Sequence, residues 1–123
     1  MRVLILSCLL LLPTLVFANV KFVNPMTFDG SEAQKEQVIN YITENVKKNY
    51  CDGSLDMCQD SLLRMMEKQE LESFKEATQA TDKKIMGNVI KSYCGDDIGM
   101  CNYSVIIMMY KENLKASKQK LEW

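Results

Sequence analysis

Histidine is absent from this chain. Its absence removes Ser-His-Asp and Cys-His nucleophilic catalysis, and with them every imidazole-bearing metal site. A basic stripe is missing too. Fifteen Lys and Arg stand against 16 Asp and Glu, a formal net charge of -1, which gives no electrostatic footprint for nucleic acid. Low-complexity stretches are absent, and no linker is long enough to separate domains. Strand-forming runs are confined to a short segment after residue 19 and to Tyr103-Ser104-Val105-Ile106-Ile107.

What the chain does have begins with its first residues. Met1-Arg2, the apolar run Val3 to Phe17 and then Ala18 read as a secretory signal peptide cleaved after Ala18, with Val16 and Ala18 as the residues that precede the cut. About 15 apolar residues interrupted by Pro13 fall short of the roughly 20 that a bilayer span needs, so no stable membrane insertion is expected. Cys8 lies too early to serve as a lipidation site. Residues 19–123 then form one domain with 14 basic and 16 acidic side chains, Arg2 having left with the signal.

Within that domain the sequence repeats at an offset of 43 positions. Ile42, Asn45, Val46, Lys48, Tyr50, Cys51, Met57, Cys58, Ser61, Met65 and Met66 recur as Ile85, Asn88, Val89, Lys91, Tyr93, Cys94, Met100, Cys101, Ser104, Met108 and Met109. The repeat, about 31–79 and about 82–121, is the unit of structure. Four cysteines remain after signal removal, and export to an oxidising compartment makes two disulfides the default. Three pairings are open. A duplicated unit should carry its own bridge, which favours Cys51 with Cys58 and Cys94 with Cys101, each worth roughly 2 to 3 kcal/mol on the loop-entropy model.

The apolar periodicity predicts four helices. Ser31-Glu32-Ala33-Gln34 has the spacing of a capping box, and Val38, Ile39, Ile42, Val46 and Tyr50 mark the inner face of a first helix ending near Tyr50. Gly53 and Gly95 suit left-handed helix ends, with Ser54 and Asp97 as caps of the helices that follow. Leu55, Cys58, Leu62, Met65 and Met66 form the expected inner stripe of the second helix, which runs to about Gln79. Thr81 or Asp82 caps a third carrying Ile85, Val89 and Tyr93. A fourth starts near Ile98 and runs through Cys101, Val105, Met108, Met109 and Leu114 toward Leu121. The expected fold is all-α, a small four-helix bundle of two tandem disulfide-stapled hairpins. A short extended arm at residues 19–30 lays Phe22 and Phe28 on the core.

Candidate chemistry is sparse. Six residues between paired cysteines describe a structural clamp, whereas redox motifs place two there. The carboxylate pairs Asp96 with Asp97 and Asp52 with Asp56 could in principle do acid-base work or hold Ca²⁺, but acids at helix starts complement the macrodipole without further function. Lys115, Lys118 and Lys120 fit the complementary end of a last helix. Nine methionines offer soft thioether ligands for Cu(I), against a reading of Met65, Met66, Met108 and Met109 as core filling. Asn102-Tyr103-Ser104 matches a glycosylation acceptor. No cofactor, resident metal or enzyme activity is expected.

The two copies differ in one informative way. Thr43, Lys47, Arg64 and Glu67 of the first are replaced by Met86, Ile90, Ile107 and Tyr110 in the second, and Val105 to Tyr110 is apolar all round a helix. Such a helix is either covered by its own chain, here by the arm or the Leu121 to Trp123 tail, or offered to a partner. In size and cysteine use the chain is similar to exported helical immunity proteins of bacterial secretion systems, although none of their defining motifs aligns and no residue role carries over. The functional expectation is a non-enzymatic periplasmic or secreted binding protein, an inhibitor of an exported enzyme or toxin, or a self-associating one. Ile90, Ile107 and Tyr110, with Asp96 and Asp97 on the adjoining loop, are the expected contacts. The alternative is a carrier of a small apolar ligand or Cu(I) between the hairpins.

Overall fold

A computed structural model describes residues 20–53, 56–95 and 99–123. The proposed signal peptide, Cys8, Ser54, Leu55, Asp96, Asp97 and Ile98 lie outside the described residues. Four helices follow one another: α1 Glu32–Tyr50, α2 Asp60–Thr78, α3 Lys83–Cys94 and α4 Tyr103–Ala116. No strand occurs among the described residues, including Tyr103 to Ile107, which is helical as the repeat demands. None of these helices is long and apolar enough to cross a membrane.

Both disulfides are local, Cys51 to Cys58 and Cys94 to Cys101, with Cα atoms 4.5 and 4.7 Å apart. The duplication is geometric as well as sequential. Gln59 and Asn102, 43 positions apart, are the N-cap residues of α2 and α4, and each donates its N–H to the carbonyl two residues earlier, Met57 or Met100, at 2.9 and 3.0 Å. Sulfur bridging thus turns the chain at the same point in each copy, and the helix restarts immediately after the second cysteine.

That late restart corrects the expected register. α2 begins at Asp60 and α4 at Tyr103, not near Ser54 and Ile98, so the buried stripes are rotated from those anticipated. Leu63, Glu70, Phe74 and Ala77 face inward from α2, and Tyr103, Ile106, Ile107 and Tyr110 from α4. Met65 and Met108 are 58% and 53% exposed and Met66 and Met109 only half-buried, so these methionines do not form the centre of the core. Ile39 is likewise exposed. Gly30 and Gly99 are left-handed, whereas Gly95 is not. Gly95 has φ -76°, and a Cβ there would sit 2.5 Å from the Lys91 carbonyl oxygen, so close approach, not backbone handedness, requires glycine.

Helix order across the array is α1, α2, α4, α3, each packing on the next. The second helix of each hairpin therefore lies inside. Contacts between α2 and α4 advance in the same direction along both helices: Glu70 meets Tyr103, Phe74 meets Tyr103, and Glu76 pairs with Lys111. The two helices run parallel, with the later half of α2 against the earlier half of α4. The hairpins are stacked head to tail, as in a translational repeat.

Two apolar clusters result, one around Val38, Ile42, Val46, Phe74 and Tyr103 and the other around Ala77, Met86, Val89, Ile106 and Tyr110. The arm joins them. Phe22 packs against both clusters, stacks on Tyr103 at 5.1 Å and meets Tyr41 edge-on at 5.5 Å, while Phe28 sits edge-on to Phe74 at 5.0 Å. Aromatic pairs in these arrangements add about 0.5–1.5 kcal/mol each beyond area burial.

Candidate functional site: an inter-repeat cleft at the second disulfide

A cleft of about 670 Å³ lies where α1 faces the corner closed by Cys94 and Cys101. One wall is a single face of α1: Tyr41, Glu44, Asn45 and Lys48 recur at steps of three and four and so point the same way. The other wall is Cys94, Gly95, Gly99 and Cys101.

Polar contacts fix these walls to each other. The Tyr41 hydroxyl donates to the Cys101 carbonyl, and Asn45 Nδ2 reaches the same oxygen at 3.5 Å. Burial, then the nearby Glu70 carboxylate, pushes the Tyr41 hydroxyl up to about 12, so it stays protonated and serves as a donor throughout the neutral range. Its role is to position the corner. Glu44, Lys48 and Asp52 are exposed around the opening and supply charges of both signs to whatever enters. The arrangement suits recognition of a polar or charged protrusion.

Beneath the cleft lies a hydrogen-bonded junction invisible to the repeat pattern. Glu70, 6% exposed, accepts the N–H of Tyr103 at 2.7 Å and that of Ser104 at 3.4 Å. Asn102 completes the cap by accepting from Val105 N–H at 3.0 Å. The first three free donors of α4 are thereby satisfied, two of them by a carboxylate from the other repeat, where the helix dipole favours negative charge. Asn102 is thus committed to structure, with its Oδ1 also accepting from the Ser104 hydroxyl. The Tyr103 hydroxyl accepts from Val23 N–H at 3.1 Å and donates to Val23 C=O at 2.9 Å, which pins the arm. Tyr110 does the same for the α2–α3 turn, its hydroxyl accepting the Asp82 N–H at 3.1 Å.

Of the residues expected to contact a partner, Ile107 and Tyr110 are 7% and 5% exposed and lie in the second core cluster, and Ile90 is half-buried against it. Ile107 and Tyr110 therefore belong to the core and not to the surface. Asp96 and Asp97 lie outside the described residues. The apolar α4 is covered by α2, α3, Phe22 and Met26, while Leu121 and Trp123 of the tail are fully exposed and cover nothing. Among the described residues no group of three His, Cys, Asp or Glu side chains is placed to hold a metal ion. Glu70 escaped sequence reasoning, although it left a signal: it stands in helical register with Leu63, Phe74 and Ala77, as Glu67 also does.

No family model, no curated protein and no solved structure matches this chain.

Proposed function

We propose that the protein is a non-enzymatic binding domain, exported to the periplasm or secreted, that engages a protein partner through its second disulfide corner and acts as an inhibitor of an exported enzyme or toxin. Two formed disulfides fit an oxidising compartment. The observation that carries the reading is the cleft itself: an open groove of about 670 Å³ whose walls are braced by a disulfide and by the Tyr41 and Asn45 hydrogen bonds. A preformed groove loses little ordering entropy on binding, and its mixed rim gives specificity to a charged protrusion.

Glu44 and Lys48 are exposed, so Glu44→Lys with Lys48→Glu leaves the fold intact while reversing the rim. Immobilised wild-type chain should retain an exported protein that the double variant releases, and adding the wild-type chain should lower that protein's activity. Equal retention by both chains rules out the cleft as the contact.

A further inference from the structure

We infer that a second groove, between α1 and α2 of the first repeat, docks a helix of a protein partner that carries a carboxylate one turn from small apolar residues. It is separate from the disulfide-corner cleft and stands or falls independently of it. The groove, about 330 Å³, has Ile39, Ile42 and Leu71 for its floor and Arg64, Glu67 and Lys68 along its rim. At Ile39 and Leu71 it continues into an apolar slot of about 230 Å³ beside Phe28 and Phe74.

The duplication shows what such a groove holds. Its counterpart in the second repeat, 43 positions on, is built from Asp82, Ile85, Ile107, Tyr110, Lys111 and Leu114, and there Ile107 and Tyr110 are buried. The later part of α2 packs on its α4 side: Ala77 and the following Ala80 join the cluster of Ile107 and Tyr110, and Glu76 pairs with Lys111. In the first repeat the matching lysine, Lys68, makes no ion pair among the described residues. Among the described residues no helix stands where α2 stands for α4.

Charge selects the occupant. Arg64 and Lys68 face a single carboxylate, Glu67, which Arg64 already contacts at 3.0 Å. Lys68 is left to receive an acid, as Lys111 receives Glu76. The head-to-tail stack places the partner helix parallel to α2, a helix-in-groove mode read through i and i+3/i+4 anchors. A second copy cannot supply its own α2, because Ala77 is fully buried within the chain.

The probe is a lactam-braced helical peptide with the sequence of residues 69–80, the bridge placed away from Glu76, Ala77 and Ala80. Titrated into the full mature protein, it should shift the backbone amides of Ile39, Ile42, Lys68 and Leu71 in a saturable way. Lys68→Glu should weaken it about tenfold, a difference of about 1.4 kcal/mol, and a Glu76→Lys version of the peptide should recover the loss on that variant. The inference is overturned if these amides stay still at millimolar peptide. It is equally overturned if the charge exchange has no effect, or if the same amides respond to decanoate or to the protein's own concentration and not to the peptide. Circular dichroism of Lys68→Glu, an exposed position, confirms that the comparison is between folded proteins.

Discussion

The carboxylate of Glu70 on α2 accepts the backbone N–H of Tyr103, the first residue of α4, at 2.7 Å. A side chain of one repeat thus caps a helix of the other. Hydrogen bonds to charged acceptors contribute about 1.5–3 kcal/mol, and a buried donor left alone costs a comparable amount. Glu70→Ala should therefore lower unfolding free energy in urea by about 2–3 kcal/mol, with Glu70→Gln losing roughly half as much because it keeps one acceptor. An unchanged midpoint for Glu70→Ala would show that water replaces the cap.

Alkaline pH tests the buried tyrosines. Tyr41 is raised to about 12, by burial first and the Glu70 carboxylate second, and Tyr103 is raised further, mainly by burial. A folded-state value above the unfolded value of about 10 means that the native state holds the proton longer, so their contribution is complete below pH 10 and is lost as pH rises through 12. Ultraviolet titration should show Tyr41 and Tyr103 ionising late, with stability falling above pH 10. Tyr103→Phe, which strands Val23 N–H and C=O, should cost about 1–3 kcal/mol at neutral pH.

Removing either disulfide by paired Cys→Ala substitution should cost about 2.5 kcal/mol on the loop-entropy model, since both close eight-residue loops. The two losses should be similar in thermal unfolding. A much larger loss at Cys94 and Cys101 would mean that this corner also holds α1 through Tyr41 and Asn45.

Ile107 and Met108 are chain neighbours with opposite surroundings. Ile107→Ala should destabilise by about 2–5 kcal/mol through the cavity it leaves, and a charged residue there should unfold the domain. Met108→Glu and its repeat counterpart Met65→Glu, both at exposed positions, should stay within about 0.5 kcal/mol of wild type. Chemical denaturation of the four variants checks the helix register directly.

Much of this was readable from residues alone. Heptad-like spacing marked the inner faces of α1 and α3, Ser31 announced the first cap, its hydroxyl accepting Gln34 N–H at 3.2 Å, and the copied cysteines announced local bridges. The capping box differs in one bond, because Gln34 reaches back to Asp29 N–H at 2.8 Å while Ser31 N–H turns to the Asp29 carboxylate, which hydrogen bonding to Ser31 holds below the usual range. The stripes of α2 and α4 were misplaced. Their starting points depend on how many residues each disulfide corner consumes, and a residue's facing rotates about 100° with every position gained or lost.

The amino-acid sequence by itself determined the helices, the duplication, the two sulfur bridges and the excess of apolar residues in the second copy, because each follows from local spacing. Only the tertiary structure decided what that excess is for. Stacking the hairpins in the same direction sets the early half of α4 against the late half of α2, so Ile107 and Tyr110 are covered while their counterparts Arg64 and Glu67 face the open groove of the first repeat. Two identical hairpins in a head-to-tail pair cannot bury the same face. That geometric inequality gives the second copy's apolar residues, Ile107 and Tyr110, a place to be buried that Arg64 and Glu67 do not have.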